Sequence, residues 1–275
     1  MAKKKKKKTS LYKNKMYVIV CILSLLTIVL LILLGFKIFA KDYYKVDSRV
    51  DKVKELGKIN DVYEAAGWLR IQGTDIDLPV LYSDDFSEPF PMELESFVWT
   101  ENFDKKQHNI TKIVGHNLYN LSKTPRLESK NFHRFEQLMN FIYYDFAKEN
   151  KYIQYTIDGK DYLYKIFAVR LINESEKYQF PLADDYEKDV LKRYIKNAKD
   201  ESLYNYNVDV NENDKLISLS TCTRLKLEKE NMEFYVIGRL VRDGEKINNY
   251  NVTKSDNYKK VEEKLKGDDE NEDTL

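Results

Sequence analysis

The stretch YIQYTIDGKDYLYKIFAV, residues 152–169, carries the clearest structural signal in the sequence. Apolar and polar residues alternate up to Asp158-Gly159, and a second alternating run leads away from that dipeptide. Alternation with a period of two is typical of a half-buried strand, and Asp-Gly is a preferred two-residue turn between antiparallel strands. The stretch therefore predicts a β-hairpin.

Short apolar runs on both sides of this hairpin extend the β pattern. Residues 67–81 (GWLRIQGTDIDLPVL) predict a strand, a turn at Gly73-Thr74 and a second alternating strand. Further strands are predicted at 97–99, 110–115, 215–221 and 234–241. We therefore expect one mainly β domain over 67–245, with no internal repeat and no second core.

Helical spacing of apolar residues interrupts the strands in three places. The stripe within 42–56 predicts helix in an N-terminal appendage that covers 42–66. The apolar residues of 132–142 are spaced as in an amphipathic helix, and those of 183–199 predict a helix in the connection between two strands.

Residues 16–36 (MYVIVCILSLLTIVLLILLGF) contain no charge. At about 1.5 Å per residue such a helix spans the roughly 30 Å hydrocarbon core of a bilayer. Its apolar run is longer than that of a cleavable signal peptide, and no A-x-A-like site follows, so an uncleaved signal anchor is favoured. The lysines of 1–15 predict a cytoplasmic N-terminus, which would place everything after about Lys41 outside the cell in a single-pass membrane protein.

Composition narrows the class of protein further. An apolar fraction of 43% is ample for a buried core, and a net charge of +1 gives no global signal for nucleic-acid binding. Beside a spanning helix, the lysine run is explained most simply by topology and by attraction to anionic lipid. Residues 246–275 have little apolar content, which predicts a polar, flexible tail.

Cysteine usage singles out one residue. Cys21 lies inside the predicted span, which leaves Cys222 alone in an exported domain where disulfides are permitted. A lone thiol in that compartment is buried and inert, pairs between chains, or is kept for its reactivity. The sequence composition leaves these three alternatives open.

Cys222 directly follows a predicted strand, and His116 follows another, in KIVGHN. A thiolate attacks a carbonyl, and an imidazole donates a proton to the leaving amine, so the two residue types suit acyl transfer. His108 and His133 show that a histidine in such a position can equally be a surface or core residue. His precedes Cys in the chain, which excludes papain-like enzymes. No Cys/His cluster has metal-ligand spacing, and no cofactor is expected.

Several of these segments together resemble the sortases, particularly class B, over roughly residues 42–242. The segments are SLSTC at 218–222, GHN at 115–117, the opening strands at 67–81 and the closing GRL at 238–240. The helix at 183–199 resembles the helix-bearing loop of class B, and NFHRFEQL at 131–138 resembles the helix that follows the His segment. Ser218 stands where threonine is usual.

The resemblance implies a closed eight-stranded sortase-type β-barrel, with N-terminal helices and a helix before the Cys-bearing strand. It also implies a reaction, in which Cys222 attacks the threonine carbonyl of a sorting motif in a surface protein and His116 acts as the acid and base. An amine of a peptidoglycan precursor would then resolve the thioacyl enzyme, leaving a covalent cell-wall anchor.

One position departs from the family pattern. Sortases carry an arginine at the start of the last strand, and alignment of FYVIGRL places Glu233 there. Loss of one oxyanion donor typically costs on the order of 10²–10³ in rate, and a carboxylate beside Cys222 would oppose thiolate formation. Arg224 is a candidate substitute, with a solvated loop arginine as the alternative reading. Lys226 lacks the planar fork, and Arg239 lies about 20 Å from Glu233 along a strand, which is too far.

Three functions therefore remain in view. The first is an active class B-like sortase that attaches surface proteins to the wall. The second, motivated by Glu233, is a sortase-fold protein that binds sorting signals without turnover. The third is an unrelated exported thiol hydrolase or L,D-transpeptidase, suggested by the STCTR order but lacking the His-Gly that usually precedes the cysteine in those transpeptidases.

Overall fold

The computed structural model describes most of the chain, and the chain separates into two units, Met1–Lys45 and Val46–Leu275. The described residues are 16–29, 44–59, 61–83, 98–101, 104–117, 134–173, 185–223 and 232–267.

In the first unit, the described residues form a helix over 16–29 with exposed apolar side chains. Residues 30–36 of the predicted anchor 16–36 lie outside the described residues. Within the described ranges, no helix is long and apolar enough to cross a membrane.

The second unit is built mainly from strands. Its described elements, in chain order, are α1 (Val50–Leu56), β1 (Glu64–Ile71), β2 (Asp77–Tyr82), β3 (Val98–Thr100), β4 (Ile110–Gly115), a 3-10 helix (Arg134–Ile142), α2 (Tyr144–Glu149), β5 (Tyr152–Ile157), β6 (Lys160–Asn173), α3 (Lys188–Asp200), β7 (Tyr204–Tyr206), β8 (Leu216–Thr223), β9 (Met232–Leu240), β10 (Val252–Lys254) and α4 (Asp256–Gly267). Within the described part of the expected helical appendage 42–66, only α1 is helical. The last three residues of that appendage, 64–66, belong to β1.

The strands close into a barrel in the order β1-β2-β3-β4-β8-β9-β6-β5, with β5 pairing back onto β1. Two contacts are parallel, β2 with β3 and β4 with β8, and the others are antiparallel. The expectation of eight full strands needs correction. Seven strands of six to fourteen residues form the wall, and the three-residue segment β3 bridges the gap between β2 and β4.

The hairpin predicted at 152–169 is confirmed as β5 and β6. Its two turn residues, Asp158 and Gly159, both have positive φ, at 53° and 69°. Two consecutive positive φ values are the mark of a type I′ turn, whose twist matches that of the flanking strands. The hairpin register follows directly, because Ile157 pairs with Lys160 across the turn.

Alternation along the strands separates an inner face from an outer face. Ile113, Leu219, Val236 and Val169 lie side by side on neighbouring strands and are fully buried in the barrel interior. The residues between them point the other way, toward the side on which α3 packs. This outer face carries the polar residues that make up the candidate site.

The C-terminal segment differs from the polar, flexible tail predicted for 246–275. Strand β10 pairs with β7, and α4 follows it. Tyr258 and Val261 of α4 are buried, and the Tyr258 ring lies 5.3 Å from that of Tyr204. A few apolar side chains in a polar sequence are sufficient here because they pack on tyrosines that are distant in sequence. Residues 268–275 lie outside the described residues.

Replacement of Gly115 tests how tightly the end of β4 is packed. A Cβ atom at Gly115 would lie 2.2 Å from Cδ1 of Phe135, a fully buried ring of the 3-10 helix. We expect Gly115→Ala to lower the free energy of unfolding by about 1–3 kcal/mol through overpacking, measured by urea denaturation. The double variant with Phe135→Leu should show a smaller combined loss than the sum of the two single changes. An unchanged stability of Gly115→Ala would contradict this packing.

Candidate active site

The parallel pairing of β4 with β8 brings the two predicted chemical residues together. The register runs as far as Val114 opposite Ser220, and His116 and Cys222 are each two residues further along their strands. Because the strands are parallel, continuation of this register places His116 beside Cys222 on the same face.

Two hydrogen bonds hold the chain on either side of this pair. The Thr221 hydroxyl donates to the Gly115 carbonyl at 2.7 Å, and the Asn117 amide donates to the Cys222 carbonyl at 3.0 Å. The two strands therefore remain attached beyond the last regular ladder pair. The GHN and STC segments, which are separate in sequence, form one local structure.

Cys222 is exposed and is not in a disulfide, whereas the preceding residues of β8 are buried. His116 is half-buried. A thiol at the open end of a rigid strand is accessible to a substrate while its backbone is fixed. Among the residues that the structure describes, no group of three or more His, Cys, Asp or Glu side chains could hold a metal ion.

Helix α3, expected at 183–199 and observed at Lys188–Asp200, packs against β6 on the outer face of the barrel and reaches β8 through Tyr194. The Tyr194 hydroxyl donates to the Ser218 hydroxyl at 3.0 Å, so Ser218 serves as a contact for this helix. Asn109, at the start of β4, holds the segment that leads into α3 through two hydrogen bonds. Its backbone N–H donates to the Asp185 carboxylate at 2.7 Å, and its side-chain amide donates to the Tyr186 carbonyl at 2.8 Å.

Glu233 lies directly opposite Cys222 in the antiparallel pairing of β8 with β9. Directly opposed residues share a face, with Cβ atoms about 4.5–5.5 Å apart. The Tyr235 hydroxyl donates to Oε2 of Glu233 at 2.6 Å. Burial raises the pKa of Tyr235 well above its usual range, and the neighbouring carboxylate adds to this effect, so the hydroxyl keeps its proton as the donor.

Comparison with known proteins gives relatives of one kind. No family model matches the chain. Sortase B of Listeria monocytogenes is 28% identical over 208 residues, covering 72% of this chain and 74% of that protein. Sortase B of Staphylococcus aureus is 22% identical over 231 residues, covering 73% and 88%.

Solved structures share the fold. Clostridium perfringens sortase B has a TM-score of 0.53 at 24% identity, covering 69% of this chain and 99% of that one. The Staphylococcus aureus sortase B-substrate complex has a TM-score of 0.53 at 17% identity, covering 75% and 90%. In sequence and in fold, the chain is similar to class B sortases.

At the family level, sortases are cysteine transpeptidases associated with the cell surface. The relatives and structural neighbours confirm the barrel and the helices expected from the resemblance. They do not test the motif residues, whose roles remain predictions.

Glu233 occupies the position opposite Cys222 at which the resemblance predicted the family arginine. Two of the sequence candidates for a substitute cation, Arg224 and Lys226, lie outside the described residues. Arg239 pairs with Leu216 at the far end of β8 and is buried. Its guanidinium pairs with Glu245 and holds the pKa of that carboxyl well below its usual range. Arg239 is thus committed elsewhere, as its distance along the strand predicted.

Arg170 is a buried cation that the sequence analysis did not single out. It lies on β6 opposite Tyr235, and its guanidinium is 5.7 Å from the centre of that ring and 5.5 Å from the Tyr194 ring. It also pairs with Glu201 at 2.8 Å. The sequence does carry a signal for a buried cation here, because Arg170 is the one charged residue in the apolar run FAVRLI at 167–172. Arg170 links α3 to the tyrosine that holds Glu233.

The charge beside Cys222 should control how fast the thiol reacts. In a Cys21→Ser background, we expect Glu233→Gln to raise the rate of alkylation of Cys222 at neutral pH by about 3- to 10-fold, because removal of a nearby negative charge favours the thiolate. The matched control is Glu263→Gln, the same change at an exposed position of α4. Equal rates in the wild type and Glu233→Gln would show that the carboxylate does not act on the sulfur.

Proposed function

We propose that this chain is an active cysteine transpeptidase of the cell surface. It cleaves the sorting signal of surface proteins and transfers them to an amine of the peptidoglycan. The observation that carries the proposal is the parallel register of β4 and β8, which runs to within two residues of His116 and Cys222 and is extended by two hydrogen bonds. Similarity to class B sortases supports the reaction class.

In the proposed reaction, the Cys222 thiolate attacks the carbonyl carbon of the scissile peptide bond. A C–S bond forms, the C–N bond breaks, and the His116 imidazolium gives its proton to the departing amine. In the second half, a neutral acceptor amine attacks the thioester carbon and gives a proton to the imidazole. A C–N bond forms, the C–S bond breaks, and the thiolate and imidazolium are restored.

Arg224 is proposed as the residue that takes over from the missing family arginine. It comes two residues after Cys222, and a guanidinium presents a planar pair of donors to a developing oxyanion. Without such a donor, the acylation step is expected to be slow. The substrate assignment is supported by relatives, which include a sortase B with bound substrate and a sortase B complexed with triglycine.

Formation of a covalent adduct tests the proposed activity. The unit from Val46 onward would be incubated with NPQTN-type, SPxTG-type and LPxTG-type peptides and examined by intact mass. We expect a thioacyl adduct with at least one peptide, none in Cys222→Ala, and a strongly reduced amount in His116→Ala. The absence of an adduct with every peptide would end the proposal of an active enzyme.

The second candidate function is a sortase-fold protein that binds sorting peptides without turnover, and the position of Glu233 opposite Cys222 favours it. We expect Glu233→Arg to raise the acylation rate by on the order of 10²–10³, because it restores a donor for the oxyanion and removes a like charge. The acylation rate would be measured by quenching the reaction at timed intervals and determining the acylated fraction by intact mass. Peptide binding with no wild-type adduct, together with adduct formation in Glu233→Arg, would favour the binding function.

A further inference from the structure

The carboxylate of Glu233 is held in place beside Cys222. On one side, the Tyr235 hydroxyl donates to Oε2 at 2.6 Å. The tyrosine ring is in turn buried, with the Arg170 guanidinium 5.7 Å from its centre. The carboxylate is therefore held on the residue that is paired directly opposite Cys222, on the same face of β8 and β9.

A fixed negative charge at this position disfavours anions and attracts cations. The acyl group on Cys222 is neutral after the first half-reaction. The acceptor must reach the thioester carbon on Cys222, and Glu233 is the residue paired directly opposite on β9. An alkyl amine is protonated at neutral pH and presents three N–H donors and a positive charge. Charge-assisted hydrogen bonds of this type are about twice as strong as neutral ones.

We infer that Glu233 binds the protonated amine of the acceptor and makes the enzyme selective for cationic acceptors over neutral ones. The inference rests on the proposed function and extends it to the second substrate. Binding is the recognition step, and the bound ammonium loses one proton to water before it attacks the thioester. Glu233 is thus a binding residue for the acceptor, and the expected slow acylation is the consequence of its charge.

The choice of acceptor separates this role from a structural one. With the purified full chain and a peptide that acylates it, the kcat/KM for triglycine and the kcat/KM for hydroxylamine, which is uncharged at neutral pH, would be compared. Both acceptors react with the same acyl enzyme, so the ratio of their kcat/KM values does not depend on the acylation rate. We expect Glu233→Gln to lower the ratio of kcat/KM for triglycine to that for hydroxylamine about tenfold. Added salt should lower this ratio in the wild type and much less in the variant.

The matched control is again Glu263→Gln, which should leave this ratio unchanged. An unchanged ratio in Glu233→Gln would overturn the inference, because a distorted site affects both acceptors alike. A change in the KM for the sorting peptide alone would overturn it as well, since the carboxylate would then recognise a basic side chain of that peptide.

A binding measurement decides the inference even where turnover fails. In the Cys222→Ala protein, triglycine and N-acetyl-triglycine would be titrated and followed by NMR, with and without Glu233→Gln. We expect Glu233→Gln to weaken triglycine binding about tenfold and to leave the acetylated peptide unaffected. Unchanged triglycine binding would refute the role of Glu233, whereas the absence of a thioacyl adduct in the wild type would refute only the proposed transpeptidase activity.

Discussion

The parallel pairing of β4 with β8 is the interaction on which the site depends. Parallel strands are joined through long connections, so this pairing is what brings together two segments that lie far apart in sequence. It is tightened at its end by the Thr221 hydroxyl, which donates to the carbonyl of Gly115. Because the ring of Phe135 occupies the space beside Gly115, a side chain at that position would displace the strand that leads to His116.

The antiparallel pairing on the other side of β8 gives the site its unusual charge. Strand register fixes which residue lies opposite the cysteine, and here that residue is Glu233. The backbone therefore presents a carboxylate on the face that carries Cys222. Since the position is set by strand register, the residue type at 233 can change the local charge without changing the strand pairing.

Local patterns in the sequence were sufficient for the hairpin at Asp158-Gly159, for α3, and for the strand-end positions of Cys222 and His116. Each depends on residues close in sequence or on a short motif. Packing between distant segments could not be foreseen in the same way. The order around Tyr258 depends on tyrosines that precede it by more than fifty residues. The contact of Arg170 with Tyr235 joins two strands, so it could be found only from the strand register.

Arg170 connects the feature typical of class B with the charge at the cysteine. Its guanidinium lies between the rings of Tyr194, on α3, and Tyr235, on β9. Movement of α3 would therefore change the environment of the tyrosine that holds Glu233. The helix and the carboxylate belong to one packed unit, in which a single buried cation links α3 to the tyrosine that donates to Glu233. Any shift of α3 is therefore transmitted to the residue opposite Cys222 through packed side chains and not through the backbone of β8.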